Sequence, residues 1–307
     1  MIARLDEPAA AAVDAAGGKG ASLARMAALG LPVPGGFVVL ADALTATLAA
    51  AGADEQLRAC LADVADADRR QASETASALV QAAPLAAGLE EAITEAVAAL
   101  GEGTSLAVRS SAVAEDSEAA SYAGQQDTYL HVRGADRVVR RVRDCWASFF
   151  GEHAIFYRQR KGSLDDLRMA VVVQRMVEPD VAGVLFTVDP IRQRKDQMVV
   201  EAALGLGEAV VQGVVTPDHY VLARDGRVKQ SVVATQPYAI VRGPDGGTEQ
   251  RPLTPEEGGR QKLTADDLRR LAELGRQLEE HLGGPQDVEW AIAGGELHLL
   301  QSRPVTT

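Results

Sequence analysis

The segment that most restricts the fold lies at the C-terminal end. Gln286-Asp287-Val288-Glu289-Trp290 and Leu297-His298-Leu299-Leu300-Gln301-Ser302-Arg303-Pro304 flank a Gly294-Gly295 pair. Strand-like runs on either side of a two-glycine turn spell a β-hairpin. Such a hairpin gathers an acid, an amide and a guanidinium at one end. Carboxylate and amide oxygens are hard ligands suited to Mg²⁺. Arginine grips phosphate through two parallel charge-assisted hydrogen bonds. A register condition follows. With a regular two-residue turn, Val288 faces Gln301 and Glu289 points to the other side of the sheet. Shared metal binding by Glu289 and Gln301 therefore requires an odd-length loop, Gly294-Gly295-Glu296, or a bulge.

The rest of the chain mixes strands and helices without strict alternation. Ala9 to Leu31 reads as a helix entered through the turn Gly17-Gly18-Lys19-Gly20, with Leu23, Met26, Ala27 and Leu29 as its apolar stripe. Phe37 to Leu40 is a short buried strand, and Asp42 to Leu100 is Ala-rich and helical. Strands are expected at 106–111 and 126–132, with an acidic, small-residue loop at 112–125 between them. Ala135 to Gln159 is expected to be one helix. Strands at 169–177 and 183–188, joined by Glu178-Pro179-Asp180, are expected to be antiparallel neighbours. Further strands near 198–202, 219–222 and 228–234, then a helix at 264–282, lead to the hairpin. This interspersion predicts an α+β fold.

Composition excludes several roles. The 307 residues suffice for one large domain or two modest ones. A net charge of −12 opposes non-specific nucleic-acid binding, which depends on basic surface. No apolar run approaches the ~20 residues that span a bilayer. The sequence from Met1 to Glu7 lacks the basic start and apolar segment of a signal peptide. Cys60 and Cys145 are far apart and are expected to be reduced thiols. A cytoplasmic protein with neither nucleic-acid nor membrane partners is the expectation.

Several motifs carry both a chemical and an ordinary reading. Gly17-Gly18-Lys19-Gly20 places flexible backbone and a cation at a helix start, which suits an anion, or is a plain glycine turn with a solvated lysine. It is not a P-loop, because Gly20 stands where Ser or Thr should bind Mg²⁺. Arg109 ends an apolar strand beside Ser110-Ser111 and can reach a polyphosphate, or pair with Glu115, Asp116 or Glu118. Gly124-Gln125-Gln126-Asp127-Thr128 can close over phosphates or form a capped turn. Gln174 interrupts an apolar strand: either it offers an amide to a purine edge, or it lies on an exposed strand face. Glu201 and Glu289, if clustered, would bind metal or ribose hydroxyls; if separate, they simply face solvent. The five histidines share no spacing and read as structural or exposed.

Taken in order, these pieces resemble the N-terminal ATP-binding domain of the phosphoenolpyruvate synthase, pyruvate phosphate dikinase and rifampin phosphotransferase family. The anchors are Gly17-Gly18-Lys19-Gly20, Val33-Pro34-Gly35-Gly36-Phe37, Val108-Arg109-Ser110-Ser111-Ala112 with Ala114-Glu115-Asp116, and Ser121 to Thr128. Gly183 to Thr187, Gly205-Leu206-Gly207-Glu208 and Gln301-Ser302-Arg303-Pro304 complete the set. The resemblance implies an ATP-grasp-like fold, with nucleotide held between an N-terminal lobe (1–190) and a C-terminal lobe (191–307). It implies that Lys19 and Arg109 hold the ATP phosphates. Gly124 and Thr128 line the loop over them, Gln174 sits at the adenine pocket and Glu201 lies near the nucleoside. Glu289 and Gln301 bind Mg²⁺, and Arg303 stabilises the transferring phosphates.

The same resemblance implies a dikinase-type phosphotransferase component that passes phosphate from ATP to a histidine on a separate domain or subunit and releases AMP. That swivelling domain's Thr-Ser-His or Thr-Cys-His stretch does not occur in this sequence. The expected partner is therefore a phosphohistidine-domain protein or further C-terminal domains, and a free-standing subunit is favoured over an excised domain. A rifampin phosphotransferase-like ATP half and a non-catalytic nucleotide-binding regulatory module are the alternatives.

Overall fold

The computed structural model describes residues 1–62, 64–113, 128–161, 166–192, 194–244 and 246–305. The expected acidic loop falls largely outside them. The chain divides into two compact units, Met1–Arg25 with Gly35–Met176 and Met26–Pro34 with Val177–Thr307.

The first unit is built on a five-stranded antiparallel sheet of β1 (Ile2–Arg4), β2 (Gly36–Val39), β3 (Leu106–Ala112), β4 (Thr128–Val132) and β5 (Met169–Arg175). Their spatial order is β1-β2-β5-β3-β4. Side chains alternate across each strand. One face presents Phe37, Val39, Leu106, Val108, Val171 and Val173 to a core completed by Leu44, Leu57, Val80, Ile93 and Trp146 from the surrounding helices. Trp146 is fully buried and its indole N–H donates to the Met169 carbonyl at 3.1 Å. The region expected as one helix from Ala135 is two, Ala135–Ser148 and Glu152–Lys161, broken around Gly151. Leu29, placed in the first helix's apolar stripe by sequence, is 42% exposed because that helix ends at Ala28.

The second unit holds β6 (Val181–Phe186), β7 (Gln197–Leu204), β8 (Asp218–Ala223), β9 (Val228–Val232), the small pair β10 (Tyr238–Arg242) and β11 (Thr248–Pro252), and the hairpin β12 (Gln286–Ala293) and β13 (Glu296–Pro304). Six of these form an antiparallel sheet in the order β13-β12-β6-β7-β8-β9. One face is sealed by the helix Ala265–Leu282, which buries Leu268, Leu271, Leu274 and Leu278. Thr264 and Asp267 cap its start reciprocally, and Gly283 ends it in the left-handed region. At Gly275 a Cβ would stand 3.1–3.3 Å from Thr187, Leu185 and Met198, so glycine sets the close approach of helix to sheet.

The expected pairing of the strands at 169–177 and 183–188 is not observed. β5 pairs with β2 and β3, whereas β6 pairs with β7 and β12. The Glu178-Pro179-Asp180 turn leads from one sheet to the other, because β6 finds better partners in two β-branched strands of its own unit. The chain consequently divides after Met176, ahead of the expected boundary at residue 190. Both units mix helix and sheet, as the α+β expectation requires. Among the described residues no helix is long and apolar enough to cross a membrane. Both cysteines are free thiols.

Candidate functional site

In the first unit the candidate side chains stand on the sheet face opposite the apolar core. Arg109 and Ser111 share that face of β3 by alternation. Thr128 lies directly opposite Arg109 on β4. Gln174 on β5 lies opposite Ala107 and Gly36, so it shares the same face. Gln174 is 2% exposed, so it is a buried amide and not a solvent-facing one.

Ser111 also fixes the glycine-rich turn on this face. Its hydroxyl donates to the Ala16 carbonyl at 2.8 Å and accepts from the Gly20 N–H at 3.1 Å. Gly17 has φ 68°, and a Cβ there would lie 2.2 Å from the Ser111 carbonyl oxygen. Only glycine permits that backbone contact. The turn breaks the helical path at Gly17 and carries Lys19, half-buried, into the following helix. Lys19, Arg109, Thr128 and Gln174 are thus gathered on one side of one sheet. Gly124 lies outside the described residues.

In the second unit the hairpin meets its register condition through a bulge. Gly294 and Gly295 form a two-residue turn with φ 56° and 81°, and Ala293 faces Glu296. Trp290 faces Leu299, but Glu289 faces Gln301. Leu300 is the extra residue, and its insertion returns Gln301 to the face of Glu289. The turn is anchored by the Gly294 N–H donating to Asp180 at 2.8 Å and by Arg270 donating to the Gly295 carbonyl at 2.9 Å.

The register extends across the sheet. Glu289 faces Val184 on β6, Val184 faces Glu201 on β7, and Glu201 faces His219 on β8. Directly opposed residues share a face. Glu201, Glu289 and Gln301 therefore belong to a single row, on the face away from the helix Ala265–Leu282. In the neighbouring row Asp287 faces Arg303. The Arg303 Nε and Nη2 both lie 2.8 Å from one Asp287 carboxylate oxygen. Burial pushes the Asp287 carboxyl above its ordinary range, while the Arg303 guanidinium pulls the other way.

Two residues of this face were not among the sequence candidates. Asp287 stood in the hairpin motif but had no assigned role; its period-2 spacing from Glu289 was the available signal. His219 read as structural or exposed; its Nδ1 lies 3.5 Å from the Glu201 carboxylate, with both side chains about one-third exposed. Nothing in the local sequence pointed to that pair, because it depends on the register of β7 and β8.

The donor chemistry of the hairpin fits a hard divalent cation. Glu289 offers a carboxylate and Gln301 an amide oxygen. Among the described residues no three His, Cys, Asp or Glu side chains cluster as a complete metal cage. Mg²⁺ is commonly held by one or two protein oxygens plus substrate phosphates and water, so a partial donor set is the kind that suits it.

Residues 13–307 match the family described as pyruvate phosphate dikinase, AMP/ATP-binding domain. Over the whole chain the sequence is 42% identical to a probable phosphoenolpyruvate synthase from Methanocaldococcus jannaschii, covering 27% of that protein. It is 40% identical, again over the whole chain, to a rifampicin phosphotransferase from a Streptomyces species, covering 36% of it. A rifampicin phosphotransferase from Bacillus cereus is 36% identical over 95% of the chain and 34% of its own length. The chain thus spans well under half the length of these relatives.

Proposed function

Because the chain belongs to the pyruvate phosphate dikinase AMP/ATP-binding domain family, we propose that it is the Mg-ATP-binding component of a dikinase-type phosphotransferase. It transfers the β,γ-pyrophosphoryl group of ATP to a histidine on a separate domain or subunit, with AMP as the leaving group. The observation that carries this reading is the bulged register that puts Glu289 opposite Gln301 beside Arg303. A bulge at a sheet edge that re-aims a side chain is characteristic of functional positions.

In this reading the fold is ATP-grasp-like. Lys19 and Arg109 bind the phosphates, with Thr128 and Gly124 lining the loop over them. Gln174, a buried amide, presents hydrogen-bonding groups to the purine edge, and Glu201 accepts from the nucleoside. Glu289 and Gln301 hold Mg²⁺, which supplies charge neutralisation when bound. Arg303 stabilises charge on the transferring phosphates. Phosphoryl transfer asks the protein for positioning and electrostatic stabilisation and little covalent chemistry, and this set consists of cations, hard oxygen donors and amides. The relatives' names point to a phosphotransferase and to two acceptor classes. A phosphoenolpyruvate synthase-like acceptor is the first reading. A rifampicin phosphotransferase-like ATP half is the second, favoured by the comparable identity to those relatives. A non-catalytic regulatory module remains the alternative from another class.

Titration calorimetry with ATP, with and without Mg²⁺, tests the reading. Mg-ATP binding is expected, with Glu289→Gln weakening the Mg²⁺-dependent part and leaving metal-free binding unchanged. Absence of binding under either condition rejects it. Mixing the chain with a histidine-bearing partner and following AMP separates the phosphotransferase from the regulatory module.

A further inference from the structure

The sheet register brings His219 to the face that carries the proposed nucleotide-binding groups of the second unit. It sits directly across from Glu201, with Nδ1 3.5 Å from the carboxylate. The neighbours that close this row are apolar: Val184 beside Glu201 and Val232 beside His219. The two polar side chains thus form a couple within a short apolar stretch, each about one-third open.

The backbone beneath the pair is held firmly. Asp218, immediately before His219, is fully buried. Its carboxylate accepts from the Tyr220 hydroxyl at 2.8 Å, the Ala234 N–H at 3.0 Å and the Lys262 N–H at 2.9 Å, and pairs with the Lys262 ammonium at 2.9 Å. That network fixes the start of β8, and with it the direction in which His219 leaves the sheet. Glu201 lies two strands from Glu289, about 10 Å at ordinary strand spacing. That separation leaves room for a polyphosphate between a metal at the hairpin and a sugar at Glu201.

Resting on the nucleotide reading above, we propose that His219 is a specificity-determining residue which, together with Glu201, reads the vicinal hydroxyls of the ribose. A carboxylate only accepts hydrogen bonds, whereas neutral imidazole carries one donor and one acceptor nitrogen. With Nδ1–H directed at Glu201, Nε2 is left as an acceptor for a hydroxyl. Glu201 accepts from one hydroxyl of the diol and His219 from the other. The imidazole also restrains the Glu201 side chain in the orientation that the diol needs. Sites that hydrogen-bond a hydroxyl reject the analogue that lacks it, because their polar groups are left unpaired.

The test is titration calorimetry of the full 307-residue chain with Mg-ATP and with Mg-2′,3′-dideoxy-ATP. The wild-type chain is expected to prefer ATP by tenfold or more, about the loss expected from a charged hydrogen bond. In His219→Ala that preference should fall to about threefold or less, with the dideoxy affinity unchanged. His219→Asn, which keeps a donor near the Nδ1 position toward Glu201, should restore part of it. Circular dichroism and Tm confirm that each variant is folded, and His219→Asn alone carries the test if the alanine variant is not. Equal loss for both ligands, or an undiminished preference in the folded variants, overturns the proposal while leaving nucleotide binding intact. A wild-type chain that binds both ligands equally overturns it as well. A chain that binds neither removes the nucleotide reading and this one with it.

Discussion

The two sheets solve the same problem by different means. Each keeps one face apolar and sealed by helices, and each gathers its candidate polar groups on the other. In the first unit the decisive element is a turn: Gly17 presses against the Ser111 carbonyl, and Ser111 bonds both Ala16 and Gly20. In the second it is register: one extra residue, Leu300, brings Gln301 opposite Glu289, and unbroken pairing carries the row on to Glu201 and His219. A turn-built site is local in space but joins distant sequence through one hydroxyl. A register-built site is only as accurate as the ladder beneath it. The second kind therefore needs a rigid sheet, and the buried Lys262–Asp218 pair supplies part of that rigidity.

Three single substitutions, one double variant and one deletion probe this contrast. The largest effect is expected for Lys262→Met, which leaves the Asp218 carboxylate charged and buried without its cation. Breaking one side of such a pair costs about 3–5 kcal/mol, measurable by urea denaturation. A double variant, Asp218→Asn with Lys262→Met, should recover part of that loss. If Lys262→Met is neutral, the second sheet does not depend on this pair.

Next, Arg303→Ala should lower AMP formation with a histidine-bearing partner by about 10²–10³, the usual result of removing a group that stabilises developing charge. Arg303 is half-exposed, so Tm should move little. Full activity in this variant would refute the role given to Arg303. Gly17→Ala attacks the first sheet's device instead. The left-handed backbone and the clash with Ser111 together should cost about 2–4 kcal/mol and weaken ATP binding through Lys19. A fully stable Gly17→Ala chain with normal affinity would show that the turn needs no glycine.

The smallest effect separates register from bulge. Deleting Leu300 removes the extra residue, yet Trp290–Leu299 and Glu289–Gln301 remain opposed. Mg²⁺-dependent ATP affinity should be preserved. Its loss would mean that the bulge contributes more than side-chain direction.

Much of this was legible in the amino-acid order. The two-glycine hairpin, the buried valine strands, the helix from Thr264, and the need for a bulge or odd loop all follow from period, turn chemistry and face counting. So do the family resemblance and the residues it implies. Other features were hidden for identifiable reasons. The partners of β5 and β6 could not be read from a turn between them, since Glu178-Pro179-Asp180 serves a hairpin and a crossing between sheets equally well. Local sequence left Gln174 open between a purine-facing amide and a solvent-facing residue, because alternation marks the two faces of a strand without saying which is covered. His219 carried no local signal, and neither did the Lys262–Asp218–Tyr220 network, whose Lys262 lies 44 residues from Asp218 along the chain.

The sequence by itself determined where most strands and turns form, because those depend on interactions between near neighbours. It also dictated that Glu289 and Gln301 could share a face only if the hairpin were irregular. Tertiary structure alone decided which strands pair, which faces are sealed and which acid meets which histidine. Those outcomes come from the competition of long-range apolar surfaces for burial, and a single residue of register shift reverses every side chain that follows.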